Sequence, residues 1–246
     1  MKNFNLRLRL DQTLYLRGFV DSLEESLSLV MSGRILLPDI KQSPKVGQIL
    51  SFDANILLVE NKTYVSRGGE KLQNAMNYFG ISVKDFTCLD IGASTGGFTD
   101  YLVKNGASKI YSIDVGKGQL HNSLLINKKV ISMEKTNARE AFILPEKVDL
   151  IVIDVSFISL KLILLSVITH LKSDSNILVL FKPQFELNKN EVPAGGVVSD
   201  RQSISKGLGK FIKWCFNNDI KIKGLCDSEL KGRSGNQEIF LLLDNS

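Results

Sequence analysis

Cysteine is scarce in this sequence: Cys88, Cys215 and Cys226 stand far apart and show no metal-ligand spacing. That argues against a metal site and suits buried apolar residues in a reducing compartment. Long apolar runs are missing too. The opening "MKNFNLRLRLDQ" alternates basic and apolar residues, without the continuous apolar segment of a signal peptide. The longest apolar stretch, "LKLILLSVITHLK", is interrupted by Lys161, Ser166 and His170, too short and too polar to span a bilayer. These absences predict a cytoplasmic protein. With 43% hydrophobic and 23% charged residues, the composition is that of a folded soluble chain, not a disordered one. Its 246 residues allow one large domain, or a small one beside a medium one. The net charge of +5 suits a mildly basic soluble protein and a nucleic-acid partner equally, so charge alone decides nothing.

Residues 1–60 read as a compact α+β unit. Leu10, Leu14, Leu16 and Phe19 fall at helical spacing, with Gly18 as a stop signal. A second helix is expected from Ser22, with Glu25 three positions on, through Leu27, Val30 and Met31 to Gly33. "RILL" and "KVGQILSF" read as two short strands of a hairpin, joined by a polar loop with a turn at Pro38-Asp39. So small a core suits a unit that presents a surface. Lys2, Arg7, Arg9, Arg17, Arg34, Lys41 and Lys45 are balanced by Asp11, Asp21, Glu24, Glu25, Asp39, Asp53 and Glu60. A basic face must therefore come from geometry, and Arg7, Arg9, Arg17 and Arg34 are the RNA-binding candidates.

Residues 61–66 read as a linker, and residues 67–246 as a second domain. Ser66 or the glycines after it can cap a helix carrying Lys71, Ala75, Met76 and Phe79. From residue 84 strands and helices alternate. "FTCLDIG", "KIYSIDV", "KVISME", "VDLIVIDVS" and "SNILVLFKPQF" are apolar strands. "GGFTDYLVKNG", "SLKLILLSVITHL" and "SISKGLGKFIKWCFNN" are helices, and "IKIKGLCDSEL" and "NQEIFLLLD" close the chain as two successive strands. The pattern predicts an α/β fold: a seven-stranded, mostly parallel sheet covered on both faces, with a terminal antiparallel hairpin.

"CLDIGASTGGFTD" poses the central question. Gly92-Ala93-Ser94-Thr95-Gly96 matches the G-x-S-x-G elbow that carries a nucleophilic serine in hydrolases. Such a serine needs a histidine base late in the chain, and only His121 and His170 exist. His121 follows the second strand too early, and His170 lies within an amphipathic stretch. The alternative, a backbone cradle, finds its parts. Asp90 ends the strand, Gly92, Gly96 and Gly97 permit close approach of a ligand, and a helix starts at once. Asp114 closes the next strand, where a carboxylate can accept ribose hydroxyls. The spacing is not G-x-G-x-x-G, which disfavours a nicotinamide and favours S-adenosylmethionine (AdoMet). Asp90, Gly92, Ala93, Ser94, Thr95, Gly96, Gly97, Phe98, Asp114 and Asp154 are the expected cofactor contacts.

Asp154 in "VIDVSF" and Lys182 in "LVLFKPQFE" end parallel strands at the crevice where such sheets bind ligands. Glu238 opens the last strand after a glycine-rich loop, and Lys71 sits on the helix before the sheet. Together, "YVSRGGEKL", "DIGASTGGFTD", "DVSFISL", "LFKPQFE" and "GRSGNQEIF" resemble the TlyA family. Its members are described both as hemolysins and as AdoMet-dependent ribosomal RNA 2′-O-methyltransferases with an FtsJ-like catalytic domain. The first unit is similar to S-four-type RNA-binding domains in "RLDQTLYLRG" and "SLVMSGRI". The resemblance implies a Rossmann-like methyltransferase domain, AdoMet as cofactor, cytidine in ribosomal RNA as target, and Lys71, Asp154, Lys182 and Glu238 as the catalytic set. In that set Lys182 would be the base, Asp154 and Glu238 would orient it, and Lys71 would hold substrate. The partner implied is ribosomal RNA within a ribosomal subunit, with no metal and a monomer as the default. Two departures stand out: "SLEES" replaces the usual basic start of the second helix, and "LLPDIK" replaces a "VNG"-like turn. A membrane-active hemolysin and an inactive ribosome-binding protein are the alternatives.

Overall fold

The computed structural model describes residues 6–31, 34–40, 44–59, 63–232 and 234–244. Gly33, the expected stop of the second helix, and Lys2, Lys41 and Glu60 lie outside them. The chain divides into two compact units, residues 1–62 and 63–246.

In the first unit β1 (Arg7–Arg9) runs directly into α1 (Leu10–Leu16), and Gly18, at φ +72°, turns the chain toward α2 (Leu23–Met31). Ser22 Oγ accepts the Glu25 N–H at 3.1 Å, while the Glu25 carboxylate accepts from Asp21 rather than Ser22 at 3.2 Å. This is a capping box displaced by one residue. Three short strands follow: β2 (Ile35–Leu36), β3 (Ile49–Ser51) and β4 (Leu57–Leu58). The expected hairpin between "RILL" and "KVGQILSF" does not form. Instead β3 pairs with β1, and β2 with β4, all antiparallel. Strands this short carry too little alternation to name their partners. The core decides, by burying Ile35 and Leu50 together with Leu10, Leu14, Leu29 and Val30.

The second unit begins with α3 (Arg67–Phe79), β5 (Thr87–Ile91), α4 (Gly97–Lys104), β6 (Lys109–Asp114), α5 (Asn122–Leu125) and β7 (Val130–Glu134). It continues with β8 (Val148–Ile153), α6 (Leu164–Val167), β9 (Leu171–Phe181), α7 (Pro183–Glu186), α8 (Arg201–Asn217), β10 (Lys221–Asp227) and β11 (Ile239–Asp244). The strands form one seven-stranded sheet in the order β10-β11-β9-β8-β5-β6-β7. β11 lies antiparallel between β10 and β9, and the remaining pairs are parallel. Alternate side chains serve the two faces. Leu89, Ile151, Val179 and Leu241 pack with α6 and α8 residues such as Leu164, Phe211 and Cys215. Cys88, Val152, Leu180 and Phe240 pack with Leu72 and Met76 of α3 and Phe98 and Leu102 of α4. From β5 the chain winds outward through β6 and β7, then returns to β8 on the other side of β5. The carboxyl ends of β5 and β8 therefore flank the switch point where open sheets bind ligands.

Two local expectations fail. The stretch 160–172 is not one helix: 3-10 turns at Leu160–Leu162 and Ile168–His170 flank the single turn of α6. The β-branched run Val167-Ile168-Thr169 disfavours helix, and Thr169 Oγ1 donates to the Ser166 carbonyl at 2.8 Å. Ser66 occupies the N-cap position of α3 but makes no side-chain cap bond. Its hydroxyl instead fills the space where Gly97 would carry a Cβ.

Candidate active site

Asp90 is fully buried under the loop that follows β5. Its Oδ2 accepts the Thr99 hydroxyl at 2.6 Å, and Thr99 also meets Ser112 Oγ at 2.7 Å. Its Oδ1 has no hydrogen-bond partner among the described residues. Burial, helped by the negative charges of Asp154 and Asp114, raises the Asp90 carboxyl to about 7 against the pull of Thr99. Above it the chain makes its tight turn. Gly92 stands at φ +83°, where a Cβ would come 2.6 Å from the Asp154 carbonyl oxygen. Gly96, at φ +92°, has its open side filled by Leu120 and Leu124. Ser94 also adopts a left-handed conformation, φ +47°. Its N–H donates to Asp114 Oδ2 at 2.8 Å, and Gly116 N–H donates to Oδ1 at 2.8 Å. Ala93, Ser94, Gln119, Leu120 and Glu134 line a pocket beside Asp114. No histidine ring meets Ser94 among the described residues: His121 bonds Ser123 at 2.8 Å, and His170 packs 4.4 Å from the Phe142 ring. Thr95 belongs to the same turn, and Phe98 to the first turn of α4. The Thr95 carbonyl accepts the His121 N–H at 3.2 Å, and Phe98 stacks on Phe240 at 6.2 Å, facing the core.

The four charged candidates gather at one end of the sheet: Asp154 and Lys182 follow β8 and β9, Glu238 precedes the antiparallel β11, and Lys71 reaches in from α3. Asp154 follows β8 immediately, and its N–H donates to the Ile91 carbonyl at 3.0 Å, next to Gly92. In the antiparallel register of β9 and β11, Phe181 faces Ile239, so Lys182 and Glu238 leave the sheet side by side. They do not pair with each other. Lys182 Nζ lies 2.6 Å from Asp154 Oδ1 and donates to Ser156 Oγ at 3.0 Å. Lys71 Nζ donates to Glu238 Oε2 at 2.5 Å, with both side chains buried. Glu238 thus orients Lys71 and not Lys182, which corrects the expected division of labour. Each lysine has its own carboxylate.

An FtsJ-like methyltransferase family model matches residues 64–245, nearly all of the second unit and most of the chain. The chain belongs to the TlyA family of FtsJ-like methyltransferases. It is 38% identical over 234 residues to "Hemolysin A" of Brachyspira hyodysenteriae, covering 94% of this chain and 97% of that one. It is 37% identical over 244 residues to the "16S/23S rRNA (cytidine-2′-O)-methyltransferase TlyA" of Mycobacterium tuberculosis, covering 96% of this chain and 90% of that one. A solved structure from Streptococcus thermophilus superposes with a TM-score of 0.73 at 34% identity, covering 97% of this chain and 88% of that one.

Several residues around this methyltransferase site escaped the sequence reading. Ser156, Thr99 and Glu186 each stand inside a quoted motif, but nothing in their spacing marks them. Asn236 is almost fully buried. Its amide accepts the Val198 N–H at 2.8 Å and donates to the Gly196 carbonyl at 2.9 Å, tying the loop before β11 to the one before α8. In the first unit, three of the four candidate arginines serve their own backbone or a neighbour. Arg9 forms a two-point pair with Asp11 at 3.1 and 3.0 Å. Arg17 donates to the Ala54 carbonyl at 2.6 Å and lies over the Phe19 ring, and Arg34 donates to the Val59 carbonyl at 3.4 Å. Arg7 is exposed on β1.

Proposed function

We propose that the protein methylates a ribose 2′-hydroxyl, of cytidine, in ribosomal RNA, with AdoMet as the methyl donor. The observation that carries this reading is the pair of lysine–carboxylate contacts at the carboxyl ends of β8 and β9 and the amino end of the antiparallel β11, beside a glycine turn too tight for any side chain at Gly92. The residues present fit AdoMet. The buried Asp90 Oδ1 is a polar atom without a partner beneath the turn, and Asp114 retains free lone pairs on both oxygens for ribose hydroxyls. Ala93 through Phe98 shape the cradle, and Asp154 borders it. When bound, AdoMet supplies a methyl group activated by a sulfonium centre.

The acceptor hydroxyl is a weak nucleophile, so the protein must take its proton or aim its lone pair. Lys182 is assigned the proton. Asp154 lies 2.6 Å from its Nζ and Ser156 Oγ accepts a hydrogen bond from it, so the two fix the nitrogen at the crevice where the acceptor hydroxyl must arrive. Lys71, fixed by Glu238, holds the substrate beside it. Much of the acceleration comes from alignment rather than from any one group. The first unit is assigned as an S-four-type RNA-binding domain over residues 1–60, with Arg7 and the exposed faces of Arg9, Arg17 and Arg34 meeting phosphates. So modest a grip favours assembled ribosomal subunits over naked RNA; a monomer is taken as the working state and the cytoplasm as its setting.

Among the described residues no helix is long and apolar enough to cross a membrane. The test is transfer of labelled methyl groups from AdoMet to unmodified ribosomal subunits. Label on ribosomal RNA that falls at least about a hundredfold in Lys182→Ala, with AdoMet binding retained, is the expected result. AdoMet binding without label on either subunit would instead support the inactive ribosome-binding reading.

A further inference from the structure

One helical turn past Lys182, at the end of α7, Glu186 directs its carboxylate to a different segment. It accepts the Ser159 hydroxyl at 2.6 Å and the Leu160 N–H at 2.7 Å. These donors start the 3-10 turn Leu160–Leu162, which ends the loop that leaves β8 with Asp154 and Ser156. α7 and the residue before it therefore hold one loop at two points. Lys182 takes Asp154 and Ser156 at one end, and Glu186 takes Ser159 and Leu160 at the other. Between the grips Phe157 is 91% exposed and sits at φ +65°, a conformation that a bulky residue adopts at a cost. Among the described residues the ring meets only the Phe185 ring of α7, at 5.2 Å, and is otherwise open to solvent. The polar grips at the two ends therefore carry most of the loop's form. Charged acceptors are suited to this, because bonds to an ionised carboxylate are short and strong.

We infer that Glu186 is a positioning residue of the methyl-transfer site, holding the Asp154–Ser156 segment in register with Lys182; this rests on the methyltransferase reading above. The carboxylate gives both contacts the strength of a charged acceptor. A glutamine would keep one oxygen for the Leu160 N–H, turn its NH2 to the Ser159 hydroxyl, and lose the charge. Burial raises the Glu186 carboxyl above its ordinary range, while Ser159, the Leu160 N–H and the nearby Lys161 oppose the rise. Cys215 of α8 also faces it and is itself pushed up to about 11, mainly by burial.

The experiment is single-turnover transfer of labelled methyl groups from AdoMet to unmodified ribosomal subunits, with rates normalised to AdoMet-binding sites titrated on the same sample. Glu186→Gln is expected to slow transfer about tenfold, the loss of one charge-assisted hydrogen bond, at unchanged AdoMet affinity and unchanged half-saturating subunit concentration. Ser159→Ala is expected to slow it about threefold, and the double variant no more than Glu186→Gln, because both changes open one contact. The advantage of wild type over Glu186→Gln should shrink as pH falls, because the Glu186 carboxyl, raised by burial, takes up a proton and loses its charge. Wild-type rates in Glu186→Gln, or a loss confined to the number of AdoMet-binding sites, overturn the inference. If Glu186→Gln yields no binding sites, Ser159→Ala decides, and an unchanged rate there overturns it. A wild type that labels neither subunit takes down the methyltransferase reading itself, a result distinct from any ordering of the variants.

Discussion

The two ends of the sheet carry the same chemistry in different surroundings. At the amino ends of the strands, Lys109 meets Glu146 at 2.5 Å and Lys172 meets Asp149 at 2.6 Å, with the lysine side chains more than 40% exposed. At the carboxyl ends, Lys71 meets Glu238 and Lys182 meets Asp154 at nearly the same distances, with both lysines only 10% exposed. Water screens the first set, so each pair contributes little to stability. The second set has given up most of its water, and a desolvated ion pair seldom stabilises a fold as well as apolar side chains of its size would. Distance alone does not separate a structural pair from a functional one. Burial at the ligand-binding end does.

The comparison is broken hardest by removing one buried partner. Glu238→Ala strands the Lys71 ammonium and should cost about 3 kcal/mol in chemical denaturation, with Lys71→Met on top restoring part of the loss. Gly92→Ala should leave the sheet formed but abolish the rise in melting temperature on adding AdoMet, because a methyl at φ +83° meets the Asp154 carbonyl. Asp90→Asn probes the buried charge beneath the turn. Wild-type Asp90 keeps its proton up to about 7 in the folded chain, against 3.8 as its ordinary value, so the folded state binds more protons between those limits. Stability from this group is therefore full below pH 4 or so and declines as pH rises toward about 7. The asparagine variant should lack that decline in melting temperature measured across the same range. Smallest of all, Lys172→Ala at the opposite end should stay within about 0.5 kcal/mol of wild type.

The catalytic unit was legible in the sequence because its signals are long. Strands of five or more apolar residues, glycines at φ above +80° and charged residues placed just past strand ends can all be read by position. The pairing within the site was not legible. Whether Glu238 serves Lys71 or Lys182 depends on side-chain reach across strands, and both readings use the same motif. Glu186 was hidden for a similar reason, since its partners lie 26 and 27 residues away with no periodicity to connect them. In the first unit the helices announced themselves, but two- and three-residue strands did not disclose their partners. The arginines there illustrate a further limit. Composition counts charges, but only coordinates reveal that Arg17 and Arg34 already spend hydrogen bonds on the Ala54 and Val59 carbonyls.

β11 follows every other strand in sequence yet lies inside the sheet, between β10 and β9. During synthesis, then, β9 waits with an open edge while more than fifty further residues are made, and Lys71 waits far longer, for a carboxylate 167 residues on. A chain made only as far as β10 lacks a finished site, so residues 238–244 act as the completion signal for both the sheet and the pairing of Lys71.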